Sequence, residues 1–239
     1  MTGSFVEGED PGRAAIAALF VTALVTAQLT AAKVLAVPVP GPYTPPVVGN
    51  TVLVPGAVLA YALTFFASDC YAELYGKRAA QVLVNVAFVM NFVVLGLVWF
   101  TILAPAADPG SAGQFRAVLG AGTNVVAGSL LAYVVSQNWD VVVFHRIREA
   151  TGGSLLWLRN VVSTGTSQAI DTAVFVTVAF YAAPLVLGIG SPVSRGVLVQ
   201  LLVGQYLLKL LVALADTPLV YAVVAVLRGR GTARVAPAD

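Results

Sequence analysis

Apolar residues run along this chain in six long blocks separated by glycine, proline or charge. They extend from about Ala14 to Val37, Val52 to Tyr75, Ala79 to Leu103, Ala117 to Phe144, Val161 to Leu187 and Gly196 to Leu227. A helix needs about 20 predominantly apolar residues to cross the ~30 Å hydrocarbon core of a bilayer, so each block predicts one spanning helix. The sixth is long for one crossing and predicts tilt or projection beyond the lipid. The expected fold class is all-α: a polytopic integral membrane protein built as a compact six-helix bundle. Residues 14–227 form the transmembrane domain, and residues 1–13 and 228–239 are short tails. Small-residue runs such as Ala14-Ala15-Ile16-Ala17-Ala18 and Gly120-Ala121-Gly122 suit close helix approach.

The polar exceptions to this pattern are the informative part. The fifth block opens with Ser163, Thr164, Thr166, Ser167 and Gln168 and then places Asp171 about ten residues in. At ~1.5 Å per residue, that is roughly 15 Å deep, near the middle of the hydrocarbon core. An ionised group there must face protein, a partner or water, which marks Asp171 as a functional candidate. The phrase SQxxDxxVF occurs twice, as Ser136-Gln137…Asp140…Phe144 and as Ser167-Gln168…Asp171…Phe175. Spacings of three and four put Ser, Gln and Asp of each copy on one helix face. A duplicated site element is expected where a transporter is built from related halves. The copies differ in depth, however, so the two do not form a simple symmetric pair.

Other strong polar groups interrupt the blocks: Gln28, Lys33, Asp69, Glu73, Asn85, Asn91, Asn124, Gln205, Lys209 and Asp216. Helix–helix glue needs fewer than this, and an internal polar cavity is the reading that accounts for them. Lys33 and Lys209 are each able to pair with Asp171, Asp69 or Asp140 and so lower the cost of burial. Asp69 and Glu73 lie one turn apart near Lys77 and Arg78, where they either organise a loop or gate the cavity. His145 reads as interfacial, and Trp157 with Arg159 as an anchor of the fifth helix.

Composition agrees: 59% of the 239 residues are hydrophobic and 10% are charged, against about 25% charged in soluble domains. The one cysteine and one histidine exclude a disulfide framework and a multi-ligand Cys or His metal centre, and no cofactor or metal is expected. No Lys/Arg block points to nucleic acid. There is no GxxxxGK[ST] phosphate loop, so the chain does not itself hydrolyse nucleotide to drive transport. A GxSxG elbow and a paired-aspartate motif are missing too, and the chain reads as no enzyme. The first dozen residues lack a basic leader region, so the first block is expected to be retained. Arg13, Lys77, Arg78, Arg146, Arg148, Arg159, Arg228, Arg230 and Arg234 fall on one side of the six-span arrangement, and Arg116 and Arg195 on the other. By the positive-inside rule both termini are cytoplasmic, in a multi-pass protein of the cell membrane.

A cavity offering carboxylate and amide groups can read the edge of a purine-like heterocycle, because a carboxylate accepts two parallel N–H groups. Trp139, Phe65, Phe66 and Tyr206 are candidate stacking surfaces. Spacing alone does not separate a nucleobase from another amide-rich solute.

Several stretches resemble the queuosine precursor transporter family, also called VUT, or "putative vitamin uptake transporter". Thr64-Phe65-Phe66-Ala67-Ser68-Asp69 through Glu73-Leu74-Tyr75-Gly76-Lys77-Arg78 is similar to its TFPxTD…NExYGKKxAR signature. Ala132-Tyr133 to Gln137 with Asp140, Phe144, Arg146 and Arg148 resembles AYxxSQxxDVxxFxxLR. Trp157-Leu158-Arg159-Asn160 leading into Ser163-Thr164, Ser167-Gln168 and Ile170-Asp171-Thr172 resembles WLRNxxSTxxSQxIDT. Tyr206, Lys209, Thr217-Pro218 and Tyr221 match its last block. The second-helix block departs at Phe66, Ala67 and Cys70-Tyr71. The resemblance covers roughly Thr22 to Leu227 and implies inward transport of 7-deazaguanine bases, the cyano and aminomethyl precursors of queuosine or archaeosine. It carries Asp69, Gln137, Asp140, Gln168, Asp171 and Lys209 as matched positions.

The expected substrate-binding set is therefore Gln28, Gln137, Asp140, Gln168, Asp171 and Lys209, with Lys33, Asp69, Glu73 and Asn85 as gate or structural residues. The expected partners are a nucleobase solute and the lipid bilayer. A homo-oligomer and a helper ATPase module remain open, and a carrier or binding subunit for a vitamin or other heterocycle is the alternative function.

Overall fold

The computed structural model describes residues 10–38, 50–152 and 155–229, with the side chains of residues 156, 157, 159, 160, 217, 228 and 229 set aside. The elements are α1 (Pro11–Thr30), β1 (Val34–Pro38), β2 (Thr51–Pro55), α2 (Val58–Tyr75), α3 (Lys77–Leu103), α4 (Pro109–Gly120), α5 (Gly122–Ala150), α6 (Leu156–Thr177), a π-helical turn (Val178–Ala182), α7 (Ala183–Leu187) and α8 (Arg195–Gly229). Among the described residues, five stretches are long and apolar enough to cross a membrane: Pro11–Thr30, Lys77–Leu103, Pro109–Ala150, Val161–Leu187 and Arg195–Leu227. The 18-residue α2, which carries Asp69 and Glu73, completes the set of long helices. The protein is an all-α polytopic membrane protein. Along α3, Val82, Val86, Val93, Leu97 and Phe100 are all exposed, and in such a protein lipid chains cover this surface rather than water.

The expected spans need three corrections. The apolar pattern carries the first block to Val37 and starts the second at Val52, but α1 ends at Thr30 and α2 begins at Val58. Between them lies an antiparallel hairpin, with Val34 opposite Pro55, Ala36 opposite Leu53 and Pro38 opposite Thr51. Short valine-rich runs beside proline favour strand, and apolarity alone cannot distinguish them from the ends of a helix. Lys33 is accordingly not within a span; it is exposed in the turn before β1, where its carbonyl accepts from Gly56 N at 2.6 Å. The fourth block is also two helices. Asp108 caps α4 by accepting from Gly110 N (3.0 Å) and Ser111 N (3.1 Å), and Pro109 occupies the first turn. This cap-then-proline start is a helix signal that apolar counting passes over.

Contacts divide the chain into two units. One comprises α1 to Leu29, residues Ala57–Leu97 and the chain from Leu210 onward. Its core is Ile16, Phe20, Ala67, Cys70, Tyr71, Leu74, Ala80, Ala87 and Val224. Arg13 Nε donates to Tyr71 Oη (2.8 Å), and Tyr75 Oη donates to Asp10 Oδ2 (2.8 Å), tying the start of α1 to the end of α2.

The second unit comprises Thr30–Gly56 and Val98–Lys209. Here α5 packs along α6, the π turn and α7. Gly128 permits the approach, since a Cβ there would lie 2.9 Å from the Ala179 Cβ and 3.1 Å from the Phe175 carbonyl oxygen. Gly204 plays the same part for α8, where a Cβ would collide with the Leu53 carbonyl of β2. Trp99 Nε1 donates to Thr123 Oγ1 at 2.9 Å, and the Arg116 guanidinium lies 5.6 Å from the Trp99 ring centroid. Residues 1–9 and 230–239 of the expected tails, the proline-rich connection at 39–49 and the side chains of the Trp157–Arg159 anchor lie outside what is described.

Candidate functional site

The second unit brings three polar side chains together within apolar helices. Asp171 lies in the middle of the Val161–Leu187 stretch, Lys209 within α8 and Ser136 within α5. Lys209 Nζ is 2.5 Å from Asp171 Oδ2, with side-chain exposures of 14% for the lysine and 28% for the aspartate. Ser136 is buried, and its hydroxyl is shared between Asp171 Oδ1 (3.3 Å) and the Tyr133 carbonyl (3.4 Å) as acceptors. Each carboxylate oxygen thus has one donor. An ionised carboxylate offers about four lone-pair sites, so roughly two remain for a solute. The pair carries no net charge, which lowers the cost of holding either ion inside the hydrocarbon region.

Gln205 stands one turn before Lys209 on α8, so the two share a helix face. It is buried, and its Oε1 has no hydrogen-bond partner. Gln168, one turn before Asp171, is half-buried, and its main-chain carbonyl accepts from Thr172 Oγ1 at 2.9 Å. Trp139 Nε1 donates to Thr166 Oγ1 at 3.1 Å, a second polar link between α5 and α6. The two copies of SQxxDxxVF therefore contribute unequally. The serine of the first copy meets the aspartate of the second, while Ser167 turns back to the Thr164 carbonyl at 3.1 Å.

The remaining expected residues have varied placements. Gln137 is exposed and Asp140 half-buried on α5. Gln28, in the first unit, is buried with Oε1 lacking a partner. Asn85 is exposed and accepts from Gln81 Nε2 at 3.0 Å, one turn away on α3. Glu73 is exposed near the end of α2. Asp69 on α2 and the buried Asp216 on α8 both belong to the first unit. Sequence reasoning noted Asp216 and Gln205 but put neither in the site. The signals were the four-residue spacing of Gln205 to Lys209 and a further acid inside an apolar block. Among the described residues, no cluster of His, Cys, Asp or Glu could hold a metal ion.

An ion pair with unspent hydrogen-bonding capacity, set within long apolar helices, gives a polytopic membrane protein a polar site of the kind a transporter needs. Residues 55–223 match the family described as "Putative vitamin uptake transporter", and the chain belongs to that family. It is 36% identical over 167 residues, 68% of each chain, to the "Probable queuosine precursor transporter" of Bacillus subtilis (strain 168). No solved structure matches it. The chain is thus a multi-pass membrane transporter and not an enzyme. The matched region contains Ser136, Asp171 and Lys209.

Proposed function

We propose that this protein imports 7-deazaguanine bases, the 7-cyano and 7-aminomethyl precursors of queuosine or archaeosine, across the cytoplasmic membrane. The observation that carries the reading is the Asp171–Lys209 pair with Ser136 on its second oxygen, considered with the name of the Bacillus subtilis relative. A guanine-type edge presents a ring N–H beside an exocyclic amine, and the unused lone pairs of Asp171 accept both. Gln168 and Gln205 supply amides for the ring carbonyl or nitrogen. Lys209 holds the carboxylate in place. Asp140, one turn beyond Ser136 on α5, continues the polar face toward the cytoplasm. Asp69, in the first unit, is the gate residue in this reading.

Both termini are cytoplasmic in this proposal. A cysteine introduced at exposed Gly113 should then react with a membrane-impermeant thiol reagent in intact cells, and one at Gly152 only after permeabilisation. The native Cys70 is buried and adds little background.

The test of function is uptake of labelled 7-cyano-7-deazaguanine in a host unable to make it and lacking its own carrier. Cells expressing the intact chain should accumulate the base, and cells expressing Asp171→Ala at equal membrane abundance should not. Equal uptake by the two would remove Asp171 from the mechanism. Absence of uptake by the intact chain would favour the second reading suggested by the family's description, a carrier for a vitamin or another small heterocycle, or the need for a helper ATPase module or a second copy.

A further inference from the structure

The second unit also contains a cavity of about 170 Å³ that is separate from the ion pair. It lies between the hairpin, the start of α5, the π turn and the segment after α7; Val34, Ala121, Asn124, Ala179, Phe180 and Ile189 are among its lining residues. At 1.5 Å per helical residue, Ala179 is roughly 12 Å along its helix from Asp171, and Asn124 roughly 18 Å along α5 from Ser136.

The wall of this cavity is unusual in two respects. The π turn at Val178–Ala182 interrupts the regular helix, a feature often found at functional sites. Its Phe180 carbonyl accepts from Val193 N at 3.0 Å, so the π turn and the following segment are held together. Asn124 supplies the second. Its Nδ2 donates to the Ile189 carbonyl at 2.7 Å, which settles which end of the amide is which. The Oδ1 is then left buried with no hydrogen-bond partner, on a residue only 4% exposed. A buried acceptor left unpaired costs on the order of 1–3 kcal/mol, which a ligand donor would recover.

We propose that this cavity is a second binding station for small, flat, neutral heteroaromatic solutes bearing an N–H group. The mostly apolar lining, with Phe180 in it, takes the ring, and the Asn124 carbonyl accepts the N–H after a small opening of the wall. Water occupies about 30 Å³ per molecule, so the space is roughly six waters in size, fitting one small ring system rather than a sugar-linked one. In the proposed orientation the cavity is on the outer side, and a solute held here waits before reaching Asp171. This inference rests on the transport reading above.

The experiment uses two partly buried lining positions, Val34→Trp and Ala121→Leu, each of which fills the cavity without touching the ion pair. Labelled 7-cyano-7-deazaguanine is the probe, in uptake by cells and in equilibrium binding to purified full-length protein. Expected is a half-saturation concentration raised at least five-fold with the maximal rate within two-fold, and two bound molecules per chain falling to one. Lys209→Ala should instead lower the maximal rate. Unchanged half-saturation and stoichiometry in both filled variants, at wild-type abundance and melting temperature, would overturn the second station alone. An intact chain that neither binds nor imports the base would overturn the 7-deazaguanine reading, and this inference with it.

Discussion

At Asp171 one carboxylate serves two donors, a lysine on one oxygen and a serine hydroxyl on the other. Lys209→Ala would leave the acid uncompensated in apolar surroundings, so uptake should fall by at least ten-fold and the variant should melt earlier than wild type. The reversed pair Asp171→Lys with Lys209→Asp should recover much of the melting temperature but not uptake, because the acceptor has changed sides. Recovery of both would show that the site needs only neutrality. An ionisable residue inside an apolar block must find a partner, so Asp171 and Lys209 stood out from the chain alone. The choice between Lys33 and Lys209 did not, because it depended on where α1 ends. Ser136 belonged to the duplicated SQxxD element but not to the expected binding set, because helical hydroxyls commonly satisfy themselves on a preceding carbonyl, as Thr166 and Thr172 do here. Ser136 has such a carbonyl too, at Tyr133 (3.4 Å), and only the fold shows that Asp171 Oδ1 lies as near.

Among the elements, the α5–α6 contact depends on Gly128. Gly128→Val would drive a branched side chain into Ala179 and the Phe175 carbonyl, and overpacking of this kind costs about 1–3 kcal/mol; the melting temperature in detergent should drop accordingly, whereas Gly165→Ala on α6, with nothing within 4 Å of its added carbon, should leave it unchanged. The α4 cap makes a pH-dependent prediction. Hydrogen bonds from Gly110 and Ser111 hold the Asp108 carboxyl below the usual carboxylate range. Its contribution is therefore complete above the pKa of the unfolded chain and is lost as pH falls through the lower, folded value. Hydrogen-exchange protection at the start of α4 should weaken over that window, and Asp108→Asn, which caps without titrating, should abolish the dependence. Helices with continuous apolar faces were legible as elements. The hairpin was not, because Val34–Pro38 and Thr51–Pro55 continue the apolarity of the neighbouring helices and only backbone pairing distinguishes them.

For the whole molecule, the apolar blocks carry the membrane assignment, and the matched family carries the transport class. The division into two units was not legible, because α3 and α8 each contribute residues to both and no composition change marks the boundary. One property of the site extends to the entire membrane. A single charge moved through a potential of 100 mV exchanges about 2.3 kcal/mol with the field. Lys209 and Asp171 travelling as a pair exchange almost none, and a neutral base adds none. Import should accordingly be indifferent to voltage: collapsing or reversing the potential across proteoliposomes should leave the initial rate within experimental error of its resting value. Any transport that survives in Lys209→Ala should become voltage-dependent, because a lone carboxylate then moves in the field. The internal salt bridge would thus decouple the carrier from the cell's electrical energy, leaving the concentration difference of the base, or a separately supplied driving force, to set the direction of flow.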